Sequence, residues 1–242
     1  MLFGHRGYSA LAPENTLAAF SLLLEHDIPG AELDVRLSRD GKVVVIHDEN
    51  TKRVTGVDAF VGECRASRLK RLDAGSWFND AFRNESIPLL DEVFDLAGDR
   101  LYYDIELKWV HGESGGLEEA VVSRIRSHGM SDRCLISSFN PYCIRRIQTI
   151  APDITTAHTY SIHRRVPLIL RRGLAGVAIP APYMKPRYSQ VNMVNSFVVR
   201  RILRSRILAW TVDDPAEATR LIHLGVQGIV SNHPGKIKAV LL

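Results

Sequence analysis

Four short polar clusters stand at or beside strand-like apolar runs in this chain: His5-Arg6-Gly7, Glu32-Leu33-Asp34, His47-Asp48 and Glu106-Leu107-Lys108. Together they bring two imidazoles, three or four carboxylates and two fixed cations. An unpartnered charge in an apolar strand is expensive, so such clusters mark places where charge is wanted. Imidazole exchanges protons near neutral pH. Arg6 presents a planar fork suited to phosphate oxygens, and Gly7 permits a tight turn or close backbone approach. The inventory suits a metal-assisted attack on a phosphate ester.

Spacing sharpens that reading. Glu32 and Asp34 are two apart in a strand and share a face, while Leu33 and Val35 point the other way. Glu106 and Lys108 repeat the arrangement, flanked by Ile105 and Leu107. Glu32, Asp34 and Glu106 converging at strand ends would repel one another unless a cation sat among them. Oxygen-only donors favour Mg²⁺ or Ca²⁺ over zinc.

The elements that must position these groups alternate from end to end. Strands are expected at Leu2–Gly7, Ala31–Leu37, Leu101–Leu107, Cys134–Phe139, Ile154–Tyr160, Gly176–Ile179, Ile207–Val212 and Gly228–Ser231. Helical patterns separate them, at Thr16–His26 with Asn15 as N-cap, at Leu89–Ala97, and at about 117–128, 141–150, 165–172, 189–204 and 215–224, with a short tail at Lys236–Leu241. Such alternation implies a parallel sheet. Eight units predict a closed TIM (β/α)8 barrel, with an open doubly wound sheet as the alternative that strand count leaves. Groups at the C-terminal ends of barrel strands line the active site.

One segment breaks the alternation. Lys42–His47 is strand-like, and only Ser38-Arg39-Asp40-Gly41 separates it from the second strand. Asp-Gly between such runs signals a hairpin. With Asp40 and Gly41 as a two-residue loop, Arg39 faces Lys42 and Asp34 faces His47, which returns the imidazole to the carboxylates.

The length of 242 residues, 45% hydrophobic and 24% charged, fits a single domain spanning 1–242, a soluble globular chain the size of one barrel. The net charge is +4. Basic residues gather in Arg164-Arg165, Arg171-Arg172 and Arg200 to Arg206 without the aromatic interleaving of a nucleic-acid channel. Solvated helix faces are the reading, and nucleic acid is not expected as a partner; an attraction to anionic substrates or membrane surfaces stays open. Cys64, Cys134 and Cys143 show neither disulfide nor zinc spacing. With no leader before the first cluster and no run long enough to span a bilayer, the expected location is cytoplasmic. Nothing marks an oligomer interface.

The ordered motifs, together with Pro13-Glu14-Asn15-Thr16, Asp73-Ala74-Gly75-Ser76-Trp77-Phe78, Ile87-Pro88 and Trp210-Thr211-Val212, resemble the glycerophosphodiester phosphodiesterase family from residue 4 to about 234. That family is similar in fold to phosphatidylinositol phospholipase C, a barrel with a small insertion after strand two; residues 49–88 fall there. The resemblance implies that Glu32, Asp34 and Glu106 hold one divalent cation, Mg²⁺ or Ca²⁺. It implies that His5 and His47 are the acid–base pair, which of them is base being left open, with Arg6 and Lys108 on the phosphate. Trp210 would line the glycerol pocket, and Glu14 and Asn15 would help shape the site.

Ser138 and Phe139 sit where the family often has a Ser-Phe pair. One departure stands out: Asn232 occupies a place where the family often has aspartate. The implied reaction is hydrolysis of a small glycerophosphodiester to glycerol 3-phosphate and an alcohol. The alternatives are a lysophospholipase D-type phosphodiesterase and a non-catalytic phosphate- or lipid-binding barrel.

Overall fold

The computed structural model describes residues 1–108, 115–162 and 171–241. Eight strands run parallel: β1 (Leu2–His5), β2 (Gly30–Leu37), β4 (Tyr102–Leu107), β5 (Cys134–Ser138), β6 (Thr155–Tyr160), β7 (Tyr183–Pro186), β8 (Arg206–Ala209) and β9 (Gly228–Ser231). A ninth, β3 (Val43–Val45), folds back antiparallel on β2. β1 pairs with both β2 and β9, which closes the ring. The expected TIM barrel is present, with its insertion after the second strand.

Alternation sorts each strand into two faces. Ala31, Leu33, Val35, Tyr103, Ile105 and Leu107 point outward and are sealed under the surrounding helices, beside Phe20, Leu23, Val93 and Phe94. The alternate residues point into the barrel. Near the N-terminal end of the strands these are apolar, with Phe3, Leu208 and Val230 packed together and Tyr183 and Trp210 against them. Above that plug the interior is charged. Gly30 makes the plug fit, since a Cβ there would come within 2.5 Å of the Phe3 ring.

The helix Leu17–Glu25 begins at Thr16, whose hydroxyl accepts from the Ala19 amide at 3.3 Å. Asn15 is not the cap. It adopts a left-handed backbone (φ 58°) that aims its side chain into the site. Between β3 and β4 the insertion folds into short helical turns around its own small core of Val54, Val61, Leu69, Ala74 and Ile87, which continues onto Val44 and Ile46 of the hairpin.

Two further expectations need correction. The stretch Gly176–Ile179 is not a strand. Ala175–Ala178 forms one helical turn with Val177 exposed to solvent, and the strand is Tyr183–Pro186. Val177 and Ile179 imitate a strand. Tyr-Met-Lys-Pro conceals one, because its lysine is satisfied only by acids from other strands and its proline ends the ladder. The expected helix at about 165–172 lies mostly outside the described residues. The next expected helix, 189–204, is broken into a tight turn at Tyr188–Gln190, an α-helix at Met193–Phe197 and a wider π-turn at Val198–Ile202.

The hairpin register is shifted by one. Val35 faces Val45 and Leu37 faces Val43, and the Ser38 amide donates to the Lys42 carbonyl at 2.9 Å. The loop is therefore the three residues Arg39-Asp40-Gly41, with Gly41 left-handed (φ 72°), a form that adds one residue to the two-residue turn. Ile46, not His47, bonds to the Asp34 backbone.

Candidate active site

β2 and β4 carry the acids. Asp34 and Glu106 are register partners, as are Glu32 and Asp104, so four carboxylates line neighbouring strands inside the barrel. All four are 4% exposed or less. Oxygens of Glu32, Asp34 and Glu106 lie within 4.8 Å of one another, a spacing that fits one shared divalent ion.

Three cations are interleaved with the acids. Lys108, just past β4, reaches Asp34 Oδ1 at 2.9 Å and also binds Glu106. Arg6 meets Asp34 Oδ2 through Nε at 3.1 Å and Glu14 through Nη1 at 2.8 Å. Burial opposes ionisation of Asp34, but Lys108, Arg6 and the two imidazoles outweigh it and hold its pKa well below the usual carboxylate range. Burial likewise opposes Glu106, and Lys108 with Lys185 reverses it.

Lys185 is the third cation, and sequence reasoning missed it. It is 1% exposed, and its Nζ lies 2.8 Å from Asp104, 3.2 Å from Glu32 and 3.4 Å from Glu106. It also donates to Ser137 Oγ at 3.2 Å, and Ser137 donates to Asp104 at 2.7 Å. Burial disfavours the ammonium, yet Asp104, Glu32 and Glu106 raise its pKa above the ordinary lysine value. Burial pushes the Asp104 carboxyl up, to about 6, against the pull of Lys185. Asp104 could have been found from its spacing, because it shares a face with Glu106. Lys185 was hidden by the misplaced strand.

Both histidines are anchored through Nδ1. His5 ends β1, with its Nδ1 2.7 Å from Asn232 Oδ1. The Asn232 Nδ2 donates to Asp213 at 2.8 Å, so the atom facing His5 is the acceptor and His5 Nδ1 carries the proton. Its Nε2 is then left on the side of Glu32, 3.9 Å away. His47 donates from Nδ1 to Asp48 at 2.7 Å. Asp48 is gripped by Arg53 at 2.5 Å, and Arg53 also holds Glu14 at 2.7 Å. Burial lowers the His47 pKa below the ordinary imidazole value, although Asp34 pulls the other way.

His47 reaches the site despite the register shift because it lies two residues beyond the end of β3. Strand alternation no longer dictates its direction there. Arg36 clamps it, donating from Nε to the His47 carbonyl at 3.0 Å. Gly7 (φ 82°) turns the chain after Arg6, and its surroundings leave no room for a side chain, with Ala19 2.6 Å from the place of a Cβ. The same turn aims the Arg6 amide at Glu32 Oε2, 3.1 Å away.

Asn15 donates to Asp34 at 2.9 Å and completes that carboxylate's shell. Trp210, just beyond β8, donates from its indole to the Lys185 carbonyl at 3.0 Å and stands edge-on to Phe139. Ser138 is buried and donates to the Leu107 carbonyl at 3.2 Å, a bond that ties β5 to β4.

The barrel thus gathers His5, Arg6, Glu32, Asp34, His47, Glu106 and Lys108 at one end, with Trp210 on the rim. Residues 5–236 match the model of the glycerophosphoryl diester phosphodiesterase family. The chain belongs to that family. Among its relatives, a glycerophosphodiester phosphodiesterase of Caldanaerobacter subterraneus is 34% identical over 97% of this chain and 94% of its own length. One from Bacillus altitudinis is 31% identical, covering 97% and 95%.

Solved structures of the glycerophosphodiester phosphodiesterase family superpose over the whole barrel. An Oleispira antarctica phosphodiesterase in complex with the product sn-glycerol-3-phosphate gives a TM-score of 0.90 at 28% identity, covering 100% of this chain and 96% of that one. The Agrobacterium tumefaciens glycerophosphodiester phosphodiesterase gives 0.82 at 30% identity, covering 99% of each. Among the described residues, no helix is long and apolar enough to cross a membrane.

Proposed function

We propose that this family member hydrolyses a glycerophosphodiester to glycerol 3-phosphate and an alcohol, using one divalent ion and two histidines. The observation that carries the reading is the meeting of Glu32, Asp34 and Glu106 within 4.8 Å, with His5 and His47 each anchored through Nδ1. The product held by the Oleispira antarctica relative agrees with it.

Glu32, Asp34 and Glu106 would hold the ion, and oxygen donors of this kind suit Mg²⁺ or Ca²⁺. When bound, it supplies positive charge for the phosphoryl oxygens, worth several kcal/mol in such reactions. Arg6 and Lys108 add fixed cations to the same region and orient the phosphate. One imidazole takes a proton through Nε2 from the attacking oxygen, which is water or the neighbouring glycerol hydroxyl; in the second case a cyclic phosphate forms first and water then opens it to glycerol 3-phosphate. As the attacking oxygen bonds to phosphorus and the ester bond to the alcohol breaks, the other imidazole delivers a proton to the departing oxygen. Trp210 walls the glycerol side of the pocket. No carboxylate is asked to move a proton; the surrounding cations favour the ionised forms of Asp34 and Glu106.

The test is a metal-supplemented assay for glycerol 3-phosphate across glycerophosphocholine, glycerophosphoethanolamine and lysophosphatidylcholine. Glycerol 3-phosphate should form from the first two and disappear with EDTA. His5→Ala and His47→Ala should each lower kcat by about 10²–10⁴-fold, the usual scale for an acid–base group. Release of head group from the lysophospholipid alone would replace the substrate. Wild-type-like turnover in His47→Ala would remove that residue from the chemistry.

A further inference from the structure

The charges along this chain are unevenly distributed. Residues 154–212 contain ten Lys and Arg and not one Asp or Glu, although the chain has 27 acids in 242 residues. This acid-free segment supplies β6, β7, β8 and the helical turns between them. With a net charge of only +4 overall, the remainder of the molecule is net acidic. One of the ten cations, Lys185, is turned to the interior acids, and the segment's surface is basic through its arginines.

The same sector exposes apolar side chains where a barrel ordinarily presents polar ones. In the helical stretch Met193–Ile202, Ser196 and Val199 turn inward and are buried. Met193, Val194 and Phe197 face outward, at 76%, 70% and 60% exposure. Arg200, Arg201 and Arg204 follow on the next turns of that side. The neighbouring turn Ala175–Ala178 lies alongside, with Gly176 against Leu203, and exposes Val177 next to an equally open Leu174. The next outer helix, Pro215–His223, shows solvent Thr219, Arg220 and His223, with Ile222 as its one large exposed apolar side chain, at 40%.

Elsewhere on the surface some arginines hold a carboxylate, as Arg83, Arg124, Arg126, Arg146 and Arg220 do, while others, such as Arg39, Arg65 and Arg68, stand exposed without one among the described residues. Arg187, Arg200, Arg201 and Arg204 hold none among the described residues. Exposed apolar side chains beside unpaired cations are the composition of an interfacial helix.

We propose that this face docks the protein on an anionic lipid bilayer. A second copy of the chain fits poorly, because a symmetric contact would set arginine against arginine. Nucleic acid fits poorly too, because this helix face offers one ring, Phe197, for stacking and otherwise flexible aliphatic side chains. Acyl chains take the apolar residues and anionic head groups take the arginines. The helix starts a few residues past β7, and Tyr188 donates its amide to the Trp210 carbonyl at 2.7 Å. Docking therefore sets the rim of the barrel mouth beside the lipid surface. The inference rests on surface composition and does not depend on the reaction proposed above.

Co-sedimentation of the full chain with vesicles decides it. Vesicles of phosphatidylcholine alone are compared with equal parts phosphatidylcholine and phosphatidylglycerol, at low ionic strength and at about 0.15 M salt. The protein should sediment with the anionic vesicles only, more weakly in salt. Arg201→Gln/Arg204→Gln should lower partitioning about 25-fold, near five-fold per arginine. Met193→Asp/Phe197→Asp should lower it at least about ten-fold. Both variants should keep the wild-type melting temperature, since none of these side chains is buried. Absence of binding to anionic vesicles at low ionic strength overturns the proposal. So does binding indifferent to the Met193/Phe197 change, or a dimer or duplex-DNA complex that these substitutions break while vesicles are ignored.

Discussion

Lys185 shows how much one side chain can decide in a closed barrel. Its ammonium meets three carboxylates in a space closed to water, so it orders Glu32 and Glu106 from below while Lys108 and Arg6 order the other face of the cluster. Removing one partner of such a buried pair costs far more than removing both. Lys185→Met should therefore destabilise the metal-free protein by about 3–5 kcal/mol in urea unfolding. Asp104→Asn combined with Lys185→Met should recover a large part of that loss. A single variant as stable as wild type would show that Lys185 is not the counter-charge described here. Asn232 acts by the same logic of fixed direction. As an amide backed by Asp213, it orients His5 without adding a charge beside it.

The insertion illustrates how a motif that looks chemical can be structural. Asp73 receives bonds from the Ser76 hydroxyl at 2.5 Å and from the Gly75 and Ser76 amides at 2.9 Å. Its ring of donors ties a turn, and Trp77 locks the same turn by donating to the Ala74 carbonyl at 2.8 Å. Led by the Ser76 hydroxyl, these bonds lower the Asp73 pKa in the folded state. A depressed carboxylate stabilises the fold above its unfolded pKa and loses that contribution as the pH falls below about 4. Asp73→Ala should thus be less stable than wild type at pH 7, with the gap narrowing in acid. Urea midpoints compared across pH would show it, and a gap constant with pH would contradict it. The insertion matters to the site through Arg53, which links Asp48, and so His47, to Glu14 and Arg6.

In the molecule as a whole, charge is arranged in two ways. Inside the barrel, Glu32, Asp34, Asp104 and Glu106 face Arg6, Lys108 and Lys185, which leaves one negative charge in excess. A divalent cation bound at the three clustered acids would reverse that excess and bind only the folded chain. Added Mg²⁺ or Ca²⁺ should raise the melting temperature of EDTA-treated protein, by about 2.7 kcal/mol of stability at a hundred times the dissociation constant. Glu106→Gln should blunt the response. An identical melting curve with and without either ion would count against the metal site. Outside the barrel, the acid-free sector carries an excess of positive charge on one flank.

The alternation of strand and helix, the two-residue spacing in Glu32-Leu33-Asp34 and the family motifs were all legible in the chain, because they follow from local periodicity. Spacing within β2 and β4 already places their acids on one face. What the chain alone could not determine was set by contacts between distant segments. β7 reads poorly as a strand because Lys185 is tolerable there only once acids from β2 and β4 surround it. Asn15 looks like a helix cap until Asp34 claims its amide. The hairpin register depended on one extra loop residue, and His47 faces the acids because it lies past the last ladder bond, held by Arg36. Local pattern therefore named the candidate site groups. Closure of the barrel decided their partners, because only in the closed, desolvated interior does each charge have to find a neighbour.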